Sequence, residues 1–145
     1  METAAIEVAA GLIFNQGRLL ITQRRTEDHL GGLWEFPGGK RECDESFEVC
    51  LRRELREELG VEVAVQELID SVTHAYPEKT VHLRFFRCRL LSGNPKPLAV
   101  AALAWITSDQ LDRYTFPAAD AHLLETLKHS RVLWENSTSE SGSAS

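Results

Sequence analysis

The chain has 145 residues and a net charge of −6, from 16 Lys and Arg against 22 Asp and Glu. This length suits one domain with a substantial core, and 43% hydrophobic and 26% charged residues are typical of a globular protein. The acidic balance argues against long nucleic acid as a partner, and the lack of any apolar run of roughly 20 residues argues against a membrane-spanning protein.

The first predicted element is a β-hairpin. Residues 8–14 and 18–22 are rich in apolar and branched side chains, and Asn15-Gln16-Gly17 between them is typical of a turn. Residues 24–35 predict a loop, and Pro37-Gly38-Gly39 predicts a break in regular structure. We therefore expect a strand pair followed by an irregular segment that ends at these glycines.

A helix with two marked ends is predicted next. Ser46 is a favoured N-cap residue and Gly60 a favoured residue just past a helix, so the helical stretch follows Ser46 and ends at Leu59. Val49 occupies the third helical position, where a capping box has Glu or Gln, so the capping box is incomplete.

The second half of the chain predicts further strands and helices. In order these are strands at 61–73 and 80–91 joined by a turn at 76–79, a loop at 92–97, a strand at 101–106, a short helix that opens at 108–111, and a longer helix at 117–129 with Leu123, Leu124 and Leu127 on one side. We therefore expect a single domain at residues 1–135, built as a mixed sheet with helices on its faces, and a flexible Ser-rich tail at 136–145.

The cysteines favour a reducing compartment. Cys43, Cys50 and Cys88 are odd in number and scattered, which fits neither a disulfide framework nor a zinc site. The N-terminal residues 1–14 lack the basic residues of a signal peptide. We therefore expect reduced thiols and a cytoplasmic protein.

The predicted helix carries three carboxylates on one side. Glu54, Glu57 and Glu58 follow the spacing i, i+3, i+4 and fall within an arc of roughly 100°, which overlaps the apolar stripe of the helix. Like charges at this spacing destabilise a helix by roughly 0.2–0.5 kcal/mol per pair. A hard divalent cation that prefers oxygen ligands, such as Mg²⁺ or Mn²⁺, would remove this repulsion.

The charges of this helix alone allow two interpretations. Runs of Glu and Arg usually form a solvated face, which predicts an ordinary surface helix. The preceding Gly38-Gly39, which lets the backbone approach a metal or a phosphate closely, and Glu45 at a fixed offset favour a metal site instead. Arg53 would then hold one carboxylate through charge-assisted hydrogen bonds.

At this point the chain resembles the Nudix hydrolases, and within them the MutT-like branch. The residues that match the Nudix box, G-x5-E-x7-R-E-U-x-E-E-x-G-U with U a bulky aliphatic residue, are Gly39, Glu45, Arg53-Glu54-Leu55, Glu57-Glu58 and Gly60-Val61. Trp34-Glu35-Phe36-Pro37 before the box is similar to the MutT-like branch, and weaker similarity extends over residues 5–130.

The resemblance implies a fold, a metal and a reaction. The family fold is an α/β/α sandwich around a central mixed sheet, and family members use a metal-activated water to attack phosphorus, releasing a nucleoside monophosphate and pyrophosphate. The implied ligands of Mg²⁺, or of Mn²⁺ in its place, are the carbonyl of Gly38 and the carboxylates of Glu54, Glu57 and Glu58. Arg53 would orient Glu54 as the general base, a role that Glu57 or its neighbour would share, and Glu45 would act structurally or through water.

The resemblance also implies a substrate site. Arg24 and Lys79 fall near phosphate-contacting positions of MutT-like enzymes, although each is also interpretable as a solvated charge. Phe36 either lines the base pocket or packs in the core. Asp120 is the expected base reader: enzymes that select 8-oxo-guanine often carry Asn there, whereas an ionised Asp only accepts hydrogen bonds and favours a cytosine-type amino group unless it is protonated. The alternative for Asp120 is a helix-start residue favoured by the helix dipole.

One position departs from the pattern. MutT-like enzymes have a loop glutamate where this chain has Ala99. One metal ligand or alternative base is therefore missing, which affects the expected number of bound metals.

Three functions are compatible with these residues. A Mg²⁺-dependent nucleoside triphosphate pyrophosphohydrolase acting on 8-oxo-dGTP, other damaged nucleotides or cytidine nucleotides is favoured, because the box is intact. A non-catalytic module that binds oxidised bases is expected to have a degraded box, and the short chain argues against a Nudix hydrolase of another nucleoside diphosphate derivative. The expected partner is a small nucleotide rather than long nucleic acid or a membrane, and the expected assembly is a monomer or a homodimer.

Overall fold

Strands β1 (Ile6–Asn15) and β2 (Arg18–Gln23) form the hairpin that the sequence predicts. The computed structural model describes residues 5–135. The two-residue turn consists of Gln16 at φ 53° and Gly17 at φ 77°. Two successive positive φ angles match the twist of the flanking strands, which is why this turn closes a tight hairpin.

β1 lies at the centre of a mixed sheet. It runs parallel to β6, with Ile6 opposite Val81, and antiparallel to β4, with Ala10 opposite Gly38. The other strands are β3 (Trp34–Glu35), β4 (Gly38–Lys40), β5 (Glu62–Ala75), β6 (Thr80–Ser92) and β7 (Ala102–Ile106). β5 pairs antiparallel with β6, while β2 pairs with both β3 and β7. The mixed sheet expected from the sequence is therefore confirmed.

Two segments before the helix differ from the prediction. The sequence predicted a break at Pro37-Gly38-Gly39, and the structure instead pairs Gly38–Lys40 with β1 as strand β4. A Cβ on Gly38 would lie 2.8 Å from the Cα of Ala10 and closer still to the carbonyl oxygen of Ala9. Glycine is required here because two backbones approach each other closely, and not because the chain turns. Trp34–Glu35, predicted as the end of a loop, forms the short strand β3.

Helix α1 (Phe47–Leu59) has the predicted ends. Ser46 Oγ accepts a hydrogen bond from the Val49 N–H at 3.1 Å, and Gly60, at φ 71°, ends the helix. The apolar face of α1 packs on one face of the sheet and buries Cys50, Leu51, Leu55 and Leu59. This burial fixes the rotation of the helix about its axis and therefore the direction of its glutamates.

The opposite face of the sheet is covered by α2 (Ala121–His129) and two 3-10 helices, Ser108–Arg113 and Ala118–Asp120. Leu123 and Leu127 of α2 are buried in this second cluster. The sequence predicted one helix over 117–129, but the α-helix begins only at Ala121, because Asp120 has φ −90° and ψ 0° and departs from α-helical geometry. Helices on both faces give the α/β/α sandwich that the resemblance implies.

Three further predictions concern membrane spanning, the C-terminal tail and the domain boundary. Within residues 5–135, no helix is both long enough and apolar enough to cross a membrane. The tail predicted at 136–145 lies outside the described residues, and the domain boundary at 135 stays a prediction.

Candidate functional site

A cavity of about 450 Å³ opens between the sheet, α1 and the start of α2. Eight of the nine residues assigned to the site from the sequence line it, namely Arg24, Phe36, Gly38, Glu54, Glu57, Glu58, Lys79 and Asp120. The ninth, Arg53, does not line the cavity but contacts Glu54 and Glu57, which do. Residues from five separate segments of the chain therefore meet in one space.

The carboxylate end of the cavity contains an unpaired buried oxygen. Glu58 Oε1 is buried and has no hydrogen-bond partner among the described residues. Burial, followed by the negative charges of Glu35 and Glu54, raises the pKa of Glu58 to about 8, and the Gly38 amide opposes this by less. Burial also raises the pKa of Glu54. Such carboxyl groups either keep a proton or bind a cation.

Arg53 connects the loop before α1 with the carboxylates on α1. Its Nε and Nη2 donate to the two oxygens of Glu45 at 2.6 and 3.0 Å, and its Nη1 donates to Glu54 Oε2 at 2.9 Å and lies 3.4 Å from Glu57 Oε1. Hydrogen bonds from Arg53 and from the backbone of Glu42 lower the pKa of Glu45 to about 2. Glu45 is thus an ionised anchor that orients Arg53, and Arg53 in turn orients Glu54.

The carboxylates of α1 are chemically suited to bind a hard divalent metal ion. Oxygen ligands on one helix face, beside a glycine backbone, are what Mg²⁺ and Mn²⁺ prefer. Across residues 5–135, however, no group of three His, Cys, Asp or Glu side chains is already arranged to hold a metal ion. Glu54 and Glu57 are both turned toward the Arg53 guanidinium. The unpaired Glu58 Oε1 is the oxygen that a cation would satisfy.

The position of the missing loop glutamate faces this end of the cavity. Ala99 lines the cavity, and its N–H donates to the Glu58 carbonyl at 3.3 Å, beside the Leu98 N–H at 3.0 Å. The loop that contains Ala99 therefore caps the end of α1, and at position 99 it presents a methyl group to the cavity in place of a carboxylate.

Arg24 lies in the cavity wall rather than in free solvent. Its Nη1 donates to Glu35 Oε1 at 3.0 Å, and its Nε donates to the His29 carbonyl at 2.5 Å. Burial raises the pKa of Glu35, and the neighbouring Arg24 lowers it by less. Glu35 was not predicted as a site residue. Its burial beside Arg24 arises from the folded chain, and side chains adjacent in a strand point to opposite faces, so the flanking Trp34 and Phe36 did not mark it.

Asp120 and Phe36 line the same cavity from elements other than α1. Phe36 is only 4% exposed and stacks on Phe116, with ring centroids 5.2 Å apart, so it is both a core residue and part of the cavity wall. Asp120 is also 4% exposed, and burial, followed by the charge of Glu35, raises its pKa to about 7. Asp120 is also the N-cap residue of α2, although its side chain makes no capping hydrogen bond, so both the base-reader and the helix-start interpretations remain predictions.

Lys79 reaches the cavity from the turn between β5 and β6. Its backbone is held by hydrogen bonds in both directions with Tyr76, at 2.7 and 3.3 Å. Tyr76 lines the same cavity and meets the rings of His29 and His74 edge-on, with centroids 5.2 and 4.6 Å apart. This side of the cavity therefore combines a cation with an aromatic wall.

Comparison with known proteins identifies the family of the chain. The model of the NUDIX domain matches residues 9–126. The chain is 38% identical over 120 residues to the CTP pyrophosphohydrolase of Escherichia coli K12. The aligned region covers 83% of this chain and 89% of that protein. It is 42% identical over 87 residues to the 8-oxo-dGTP diphosphatase of Proteus vulgaris, covering 59% of this chain and 78% of that protein.

A solved structure is also similar over most of its length. The MutT protein from Methanosarcina mazei Go1 superposes with a TM-score of 0.79 at 26% identity, covering 88% of this chain and 95% of that one. Sequence, fold and site geometry thus agree, and the chain belongs to the NUDIX domain family.

Proposed function

We propose that the chain is a nucleoside triphosphate pyrophosphohydrolase that depends on a divalent metal and releases a nucleoside monophosphate and pyrophosphate. The observation that carries this proposal is that Glu54, Glu57 and Glu58 share a cavity of about 450 Å³ with Asp120 and Phe36. A space of this size, lined by both charged and aromatic side chains, suits a small ligand. The similarity to a CTP pyrophosphohydrolase and to an 8-oxo-dGTP diphosphatase supports this substrate class.

The proposed metal ligands are the Gly38 carbonyl and the carboxylates of Glu54, Glu57 and Glu58, and the proposed ion is Mg²⁺, with Mn²⁺ as a substitute. A metal held there neutralises charge on the phosphate oxygens and lowers the pKa of water. Glu54 is the proposed general base, because Arg53 fixes one of its oxygens at 2.9 Å and its raised pKa makes it a better proton acceptor.

Arg24 and Lys79 are the proposed contacts of the phosphate chain, and Asp120 and Phe36 are the proposed contacts of the base. Asp120 has a pKa of about 7, so both of its protonation states are populated near neutral pH. The ionised form accepts a hydrogen bond from an amino group of the cytosine type, and the protonated form also donates one. We therefore propose cytidine and oxidised-guanine nucleotides as the substrates to compare first.

The proposed setting is a cytoplasmic monomer or homodimer. Cys43, Cys50 and Cys88 are free thiols, which is consistent with a reducing compartment.

The proposal is tested by pyrophosphate release from a panel of canonical and oxidised nucleoside triphosphates, with Mg²⁺ and with Mn²⁺. We expect turnover of at least one nucleotide by the wild type and its loss in Glu57→Gln. Glu48→Gln, an exposed substitution in the first turn of the same helix, is the matched control and retains wild-type turnover. A wild type that turns over no nucleotide, with Glu57→Gln indistinguishable from it, overturns the enzymatic function.

A further inference from the structure

A hydrogen bond, which becomes an ion pair when His122 is protonated, joins the first turn of α2 to the outer strand β5. The Nδ1–H of His122 donates to Asp70 Oδ2 at 2.8 Å. The other carboxylate oxygen, Asp70 Oδ1, accepts the Ser71 N–H, also at 2.8 Å. Asp70 is 14% exposed, whereas His122 is 76% exposed. The pair therefore consists of a carboxylate fixed by its own strand and an imidazole that remains open to solvent.

This pair lies two residues from the base end of the cavity. Asp120 ends the 3-10 helix and precedes α2, and its buried side chain has no capping hydrogen bond that would hold it locally. Among residues 5–135, His122–Asp70 is the one side-chain hydrogen bond between the first turn of α2 and the sheet. Beneath it, Leu123 contributes apolar packing, which has little directional preference.

We propose that His122 is a positioning residue for the base end of the cavity. Its bond to Asp70 fixes the start of α2 against β5 and thereby sets the position of the Asp120 carboxyl group. The proposal rests on the proposed function, in which Asp120 contacts the base. Loss of the pair leaves the carboxylates of α1 in place, because they belong to a helix on the opposite face of the sheet.

The same pair makes the position of Asp120 depend on pH. Asp70 raises the pKa of His122, first through the hydrogen bond and then through its charge. The ion pair is therefore fully formed below the ordinary histidine pKa and weakens as the pH rises through the raised pKa of His122. Other titratable groups around it are Asp120, which faces the cavity, Glu125, which pairs with His129 within α2, and His74, farther along β5.

The test compares base selectivity, measured as the ratio of kcat/KM for the best and the poorest nucleotide of the panel. We expect His122→Gln and Asp70→Asn each to narrow this ratio by roughly three- to tenfold, the effect of one hydrogen bond that solvent partly screens. His122→Arg, which keeps a positive charge for Asp70, is expected to retain most of the ratio. The matched control is His129→Gln, on the same helix and 77% exposed, which pairs within the helix and not with the sheet.

The pH profile separates positioning from simple loss of stability. As the pH rises from about 6 to about 9, we expect the wild type to lose base selectivity relative to His122→Arg. The imidazole of His122 loses its positive charge in this range, whereas an arginine at the same position keeps its charge. Asp120 titrates in both proteins and therefore does not contribute to the difference. Equal ratios in wild type, His122→Gln and His129→Gln at every pH overturn the proposal.

One measurement does not depend on turnover. We expect faster amide hydrogen exchange at residues 118–123 in His122→Gln than in His129→Gln, and equal exchange in the two variants overturns the positioning role. If the wild type hydrolyses no triphosphate, the proposed function fails, and this comparison still decides whether the pair holds the start of α2.

Discussion

The carboxylate of Glu54 lies against the backbone of Gly39 so closely that a Cβ on this glycine would come within 2.7 Å of all three carboxylate atoms. The guanidinium of Arg53 holds the same carboxylate through Oε2. Glu54 is therefore fixed between a backbone and a cation, which is the preorganisation that a general base or metal ligand requires.

Gly39→Ala is expected to impair turnover more than folding. The new methyl group collides with the end of a side chain, and Glu54 can rotate away at little cost in stability. We expect a loss of roughly 100-fold in kcat/KM from the displaced carboxylate and a smaller loss in the free energy of unfolding than a clash with backbone would cause. Steady-state kinetics and chemical denaturation of the same preparation measure both quantities.

Gly38→Ala, in contrast, is expected to impair folding stability more than turnover. Its Cβ would meet the backbone of Ala9 and Ala10 in the central strand, and a backbone in a paired sheet has little freedom to move. We expect a loss of about 1–3 kcal/mol in the free energy of unfolding. Equal stability of the two alanine variants would contradict the structural distinction between these adjacent glycines.

Arg53→Lys is expected to reduce activity although it preserves the charge. A lysine has one point of positive charge and cannot donate to both oxygens of Glu45 while also reaching Glu54. We expect kcat or metal affinity to fall by about 10- to 100-fold, which is typical when the partner of a metal ligand is lost. Arg56→Lys is the control, because Arg56 pairs with Glu62 at an exposed site on the same helix. Similar kinetics for both variants would argue against the orienting role of Arg53.

Glu58→Gln is expected to change how stability depends on pH. The pKa of Glu58 is raised from 4.5 to about 8, mainly by burial, so the folded state keeps this proton longer than the unfolded state does. The stability that this proton contributes is present below about pH 4.5 and is lost as the pH rises toward 8.

Thermal unfolding in a chelator, at pH 5 and pH 8, measures this effect. The midpoint of the wild type should fall more between the two pH values than that of Glu58→Gln. Glu57→Gln, at a side chain that is 59% exposed, should retain the wild-type slope. Excess Mg²⁺ should raise the midpoint of the wild type at pH 8 and have a smaller effect on Glu58→Gln.

Asp120→Asn is expected to shift base preference toward oxidised guanine and to remove a pH dependence. With a pKa of about 7, Asp120 loses its proton between pH 6 and pH 8, so preference for a cytosine-type amino group should rise with pH in the wild type. An amide does not titrate, and the variant should give a flat profile. Relative kcat/KM for CTP and 8-oxo-dGTP at both pH values provides the measurement, and unchanged preferences would remove Asp120 as the base reader.

The helix and its glutamates were predictable because their signals are local. Ser46 and Gly60 mark the ends of α1 through contacts with residues four or fewer positions away. The spacing of Glu54, Glu57 and Glu58 placed them on one side of the helix, and the same spacing placed that side beside the buried stripe.

The features missed from the sequence depend on distant partners. Gly38 was predicted to break the chain, but the reason for a glycine there is Ala9 and Ala10, almost 30 positions earlier. Glu35 has a raised pKa because the folded chain buries it in the cavity beside Arg24. The ion pair between His122 and Asp70 joins residues 52 positions apart, and neither residue alone predicts it.

The parallel pairing of β1 with β6 sets the order in which the molecule can assemble during synthesis. Ile6 meets Val81, 75 positions later, so the first hairpin and α1 leave the ribosome well before their partner strand. Parallel pairing over such a separation is slow, because a large loop must close before any contact is gained. The nascent chain therefore presents the acidic helix before the cavity beside it exists, and the cavity is complete only after Asp120 has been made.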